Sequence, residues 1–242
     1  MRLRLGQEVK ASDGAVGELG DVVIDPVARA VTHIVAEPRH RHHLARLIPI
    51  GLVEERESSL VVALDMAGVR RLQRVAYSEF ILMGGSIETE DDWDVGTQDV
   101  LGMPYWSGSV AEPLKFSRID VSYDRIPKGE CEIRRLSEVV GSDDAVLGSV
   151  EGFLVDGVDL TDVIVRTGPF QAGRVVPIGA VAEVRNDQIR LAIGLETFGH
   201  LPSSTGLEKP DGSRESLPGS PVALGANQIV RRFRHAARKL GR

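Results

Sequence analysis

The chain has a single cysteine, Cys131, among 242 residues. One thiol excludes an intrachain disulfide framework and a cysteine-based zinc site, and it makes a reducing compartment the default. Aromatic residues are scarce, at 5%, which suits short strands and tight turns better than large aromatic cores. No apolar run approaches the roughly 20 residues that a membrane-spanning helix needs; Phe80-Ile81-Leu82-Met83 is typical of the longest. No secretion leader is expected, because Met1-Arg2-Leu3-Arg4-Leu5-Gly6 runs straight into charged residues. Enzyme signatures are missing too. The stretch Gly14-Ala15-Val16-Gly17-Glu18-Leu19-Gly20 lacks the Gly-Lys-Ser/Thr ending of a phosphate loop, and no nucleophile elbow accompanies any serine. These absences predict a cytoplasmic protein that is not an enzyme and carries no cofactor or metal.

What the chain does have is a duplication. In residues 6–64, Glu8-Val9 leads to Ser12-Asp13, Val16-Gly17 and the run Val22-Val23-Ile24 closed by Asp25. In residues 136–195, Glu138-Val139 leads to Ser142-Asp143, Leu147-Gly148 and Phe153-Leu154-Val155 closed by Asp156. Thr32-His33-Ile34-Val35 then matches Thr161-Asp162-Val163-Ile164, and Leu47-Ile48-Pro49-Ile50-Gly51 matches Val175-Val176-Pro177-Ile178-Gly179. Alternating apolar runs bounded by Gly, Asp and Pro predict short strands joined by tight turns. Asp156-Gly157 and Asp13-Gly14 are hairpin signals. Gly17 and Gly148 stand where a strand restarts, a place for a bulge or a close backbone approach. Residues 60–64 and 189–193 are expected to be the last strands. Several short strands in about 60 residues predict a small closed barrel, since closure removes aggregation-prone edges.

Between the copies, residues 66–74 have helical spacing and residues 119–123 read as a further strand. This middle segment also holds the acidic stretch Glu88-Thr89-Glu90-Asp91-Asp92-Trp93-Asp94 and the aromatic Tyr105-Trp106 pair. It is too apolar for a free linker and is expected to pack on the barrels. Residues 203–221 are rich in Ser, Gly and Pro and read as a flexible linker. They precede a candidate amphipathic helix over 227–240, with Ile229, Val230, Phe233, Ala237 and Leu240 on one face.

The net charge of −6 is unevenly spread. Residues 228–242 hold Arg231, Arg232, Arg234, Arg238, Lys239 and Arg242 and no acidic residue, so the remainder of the chain carries −12. A basic helix on an acidic body can pack on that body, meet a partner protein, or approach an acidic surface such as RNA or anionic lipid.

Other chemistry-bearing residues have plainer readings. His40, His42 and His43 alternate with Arg39 and Arg41, whose charge opposes a metal ion, and the matching loop 168–173 has no histidine. A solvated hairpin tip is the expectation there, with a metal or pH-sensing site as the alternative. Asp13, Asp143, Asp25 and Asp156 lie beside turns, where Asp hydrogen-bonds local backbone. Cys131 has no recognisable partner.

The opening at Val9, Asp13-Gly14 and Gly17, the apolar run ending in Asp25, the Thr32-His33-Ile34-Val35 strand and the Ile48-Pro49-Ile50 strand, with their second-copy counterparts, resemble the PRC-barrel family. The resemblance covers residues 3–64 and 131–195. That family takes its name from the cytoplasmic part of the H subunit of bacterial photosynthetic reaction centres. It also forms the C-terminal half of a ribosome maturation factor that binds a small-subunit ribosomal protein. The resemblance implies a mainly β chain with two small PRC-type β-barrels in tandem, to which the residue pattern adds a short inter-barrel segment and a C-terminal amphipathic helix. The expected division is 1–65 and 131–201 for the barrels, 66–130 between them, 202–221 as linker and 222–242 as the basic helix. The function this suggests is a non-enzymatic adaptor or scaffold that binds protein. Its candidate contact residues are Trp93, Tyr105 and Trp106 on the body, for which burial in the seam between the barrels is the first expectation, and Arg231, Arg232, Arg234, Arg238 and Lys239 on the tail. The alternatives are an RNA- or ribosome-associated factor and a peripheral membrane or photosynthetic-complex protein.

Overall fold

The structure, a computed structural model, describes residues 1–39, 41–82, 86–88, 90–101, 118–168 and 172–207. Tyr105, Trp106 and the whole basic segment 222–242, with Arg231, Arg232, Arg234, Arg238 and Lys239, lie outside the described residues, as does His40.

The chain is mainly β, with two short α-helices among the described residues. The first copy contributes β1 (Arg2–Arg4), β2 (Glu8–Ala11), β3 (Gly14–Asp25), β4 (Ala30–Glu37), β5 (Arg46–Pro49), β6 (Val53–Arg56) and β7 (Ser59–Val62), followed by helix α1 (Met66–Arg71). The middle segment contributes β8 (Ala76–Leu82), β9 (Trp93–Leu101) and β10 (Arg118–Pro127). The second copy repeats the first: β11 (Cys131–Arg134), β12 (Glu138–Val140), β13 (Val146–Asp156), β14 (Asp159–Arg166), β15 (Arg174–Pro177), β16 (Val181–Arg185), β17 (Gln188–Leu191) and helix α2 (Leu195–Gly199).

The predicted turns and last strands form where the residue pattern places them. Asp25 Oδ1 accepts the backbone N–H groups of Val27 and Ala28, fixing the β3–β4 turn. Asp13 Oδ1 accepts the N–H of Met66, and Asp143 Oδ2 that of Leu195, so the repeated carboxylates satisfy the first N–H of each copy's helix. Both repeated glycines mark a bulge and a close approach. A Cβ on Gly17 would stand 2.0 Å from the Glu37 carbonyl oxygen, and one on Gly148 2.2 Å from that of Arg166.

The two copies do not form separately closed barrels. Their strands join one 14-stranded network in the order β16-β17-β12-β13-β14-β4-β3-β2-β7-β6, and this path does not close on itself. The physical reason lies at the start of each copy. β1 pairs with β13 of the second copy, through Arg2–Leu154, Leu3–Phe153 and Arg4–Gly152. β11 pairs with β3 of the first copy, through Cys131–Ile24, Glu132–Val23, Ile133–Val22 and Arg134–Asp21. The copies therefore exchange their first strands. The hairpin tips also meet, where Val31 N–H donates to Val158 and Leu160 N–H to Arg29.

Packing follows from this exchange. One apolar cluster runs through both copies and includes Leu3, Val22, Ile34, Ile133, Phe153 and Ile189. Two halves of about 60 residues share one core rather than supporting two marginal ones. A second, smaller cluster (Val23, Val35, Ala45, Leu47, Val75 and Ile126, with Trp93 against it) lies between the first copy and the middle sheet β8-β10-β9. That sheet covers the opposite face of β3, so Val22, Val23 and Ile24 are all fully buried. In the second copy Leu154, the counterpart of Val23, is only half-buried.

Residues 202–207 pack on β15: Val175 N–H donates to Pro202, Arg174 Nη1 to Leu201, and Ser204 N–H to the Gly173 carbonyl.

Candidate functional site

At one end of the smaller apolar cluster, where hydrocarbon would be expected, three carboxyl groups are buried. Asp21 follows the β3 bulge that shifts its pairing with β4 between Leu19 and Asp21. Glu132 is the second residue of the exchanged strand β11 and is fully buried. Asp124 lies in β10, where pairing with β9 shifts register between Tyr123 and Arg125. Each offers one oxygen within 4.8 Å of the others, the sole such group of three acidic or histidine ligands among the described residues.

His42 links this interior to the surface. Its Nε2 lies 2.8 Å from Asp124 Oδ1 and its Nδ1 3.5 Å from Glu37 Oε2. The hydrogen bond to Asp124, supported by the charges of Asp124, Glu37 and Asp21, raises the His42 imidazole to about 9 against the pull of burial. His42 is therefore a cation at neutral pH. Burial, then the charge on Asp124, raises Glu132 to about 7, although its Oε2 accepts the Thr97 N–H at 3.1 Å. Burial also lifts Asp21 well above the ordinary carboxylate range, reinforced by Glu132 and Asp124 and opposed by His42 and Arg134. Burial thus opposes the charged forms of Asp21 and Glu132, and His42 places one positive charge beside Asp124.

Glu132 Oε1 and the Thr97 hydroxyl are buried and make no hydrogen bond of good geometry, although the Thr97 side chain is near enough to Glu132 to oppose the rise of its carboxyl. The space is tightly set, because a Cβ on Gly96 would stand 2.7 Å from Glu132 Oε2. On the solvent side a cleft of about 510 Å³ reaches Asp21 and His42. Its rim includes Glu18, Glu37, Arg39, Arg134 and Arg135, with Arg39 Nε paired to Glu18 at 2.7 Å.

The site occurs once, although the fold is duplicated. The counterpart of Glu132 is Arg2, and that of Asp21 is Gly152. The backbone contacts around them are nonetheless preserved: Glu132 N–H donates to Asn186 Oδ1 and Arg2 N–H to Glu55 Oε2. Common architecture accounts for the strands, and the carboxylates are an addition to it.

The histidine loop differs from the expected solvated tip at one residue. His43 is exposed, but His42 turns inward onto Asp124 because β10 passes beneath the loop. His33 hydrogen-bonds Thr32 and lies 3.7 Å from Glu130. Trp93 is half-buried on the smaller apolar cluster, its ring 5.8 Å from the Arg125 guanidinium. Cys131 is half-buried, its thiol pushed up by burial. Asp21, Asp124 and Glu132 are absent from the sequence-based candidates. The one signal available was the comparison of copies, where an acid replaces Arg2 and Gly152.

No family model matches the chain, and no curated protein matches it.

Proposed function

We propose that this chain is a non-enzymatic adaptor of the PRC-barrel type. In this reading two PRC-type halves, opened and interlocked, present a rigid surface to a partner protein. The segment 222–242 forms a basic amphipathic helix that adds a second contact. The observation that supports the reading best is the reciprocal strand exchange. It fuses the halves through backbone hydrogen bonds and a shared core, leaving little freedom for hinge motion between them. A preorganised surface loses little entropy on binding. Covalent linkage of the basic segment to the body raises the effective concentration of the second contact.

Affinity purification with the full chain and with a chain ending at Leu207 tests it. The expectation is one protein partner retained by both, more weakly by the shorter chain. Recovery of RNA alone, lost after ribonuclease treatment and in high salt, would replace the adaptor with the RNA-associated reading. Recovery only with anionic vesicles would replace it with the peripheral membrane reading.

A further inference from the structure

We propose that Asp21, Asp124 and Glu132 bind a hard divalent cation of the Ca²⁺, Mg²⁺ or Mn²⁺ class. Four observations converge. The three donors are all carboxylate oxygens, the ligand type such ions select over thiolate or imidazole. They lie within 4.8 Å of one another. Oxygens on opposite sides of these ions stand roughly 4–5 Å apart, twice a metal–oxygen distance of about 2.0–2.5 Å. Glu132 Oε1 is buried with no hydrogen-bond donor, which a cation would satisfy. The Thr97 hydroxyl, also buried, lies beside the Glu132 carboxyl, whose other oxygen accepts the Thr97 N–H, and is a fourth oxygen donor at the site.

His42 is a positioning residue here. It binds Asp124 Oδ1 and so orients that carboxylate. The cleft at Asp21 and His42 supplies an entry path. The ion would tie together β3 of the first copy, the exchanged strand β11 and β10 of the middle sheet. It would act as a clasp on the strand exchange. Nothing in this inference requires the adaptor reading.

The test uses the full chain, stripped with EDTA, desalted and titrated with Mn²⁺ while the electron paramagnetic resonance of free Mn²⁺ is followed. The expected result is one ion bound per chain, displaced by Ca²⁺, with thermal unfolding moved upward by Ca²⁺. Glu132→Gln and Asp21→Asn, both close in shape to the wild type, should weaken binding about tenfold or more, and the exposed Glu54→Gln should not change it. Absence of binding at about 1 mM Mn²⁺, the weak end for protein calcium sites, overturns the proposal. So does equal binding by wild type and Glu132→Gln, which would place the ion elsewhere on the acidic surface. A Glu132→Gln chain that gains thermal stability while the wild type takes up no ion also overturns it, since the cluster then holds a proton only. If neither amide variant keeps the wild-type circular dichroism, Mn²⁺ broadening of wild-type amide resonances decides. Broadening centred on Asp21, Thr97 and Glu132 supports the site, and broadening centred elsewhere overturns it.

Discussion

Ile133 lies in register with Val22, a residue of the other copy, and not with Phe153 of its own. Leu3 makes the reciprocal choice and lies opposite Phe153. Neither copy is complete without the strand that the other supplies. A chain ending at Lys128 lacks β11 and leaves Val22 and Ile24 without their neighbour. It is expected to lose cooperative thermal unfolding, and a sharp transition at the full-length temperature would refute the exchange. The milder Ile133→Ala removes a fully buried side chain and should cost about 2–5 kcal/mol in urea unfolding.

Gly17→Ala and Gly148→Ala should each destabilise by more than about 1 kcal/mol. The added Cβ meets a carbonyl oxygen of the neighbouring strand at 2.0 Å and 2.2 Å, and backbone cannot move aside as a flexible side chain can. Gly51→Ala is the control, since a Cβ there meets nothing within 4 Å. Equal stability of all three variants would contradict the close approach.

Asp21, Glu132 and His42 are all raised at the site, so all three make the metal-free chain less stable as pH rises. Glu132 titrates near 7 in the folded chain and near 4.5 when unfolded. Between these values the folded state binds the extra proton, so stability falls as pH rises through that window. His42 titrates near 9 rather than 6.5, facing Asp124 on β10, Glu37 on β4 and Asp21 on β3. Its contribution is full below 6.5 and is lost as pH rises through 9. Urea midpoints measured in EDTA should therefore decline from mildly acidic pH to pH 9. His42→Gln should flatten the upper part of the decline, and Glu132→Gln the lower part. A midpoint that rises over the same range would exclude this account.

Trp93→Ala is expected to reduce stability by about 2 kcal/mol, below the range for fully buried tryptophan because the ring is only half-buried. It removes packing on the smaller cluster and the ring beside Arg125. If Trp93 is instead a free contact residue, the variant will keep wild-type stability and lose only partner binding.

Much of the β-structure was legible because its causes are local. The Asp25 turn bonds, the glycine bulges and the last strands follow from residue type at short range, whereas Asp13 binds Met66, 53 positions away, rather than its own turn. The full burial of Val22, Val23 and Ile24 was legible as an apolar run, but its cause, a second sheet over β3, was not. The loop pattern groups His42 with its neighbours, yet its partner Asp124 is 82 positions away.

The sequence by itself determined that each copy is built of short strands, that the pattern occurs twice, and where several of its turns lie. Only the tertiary structure decided which copy each first strand joins, and that Asp21, Asp124 and Glu132 meet. Backbone hydrogen bonds are chemically alike in either pairing, so the alternation of side chains along a strand records which face is buried and not which strand lies beside it.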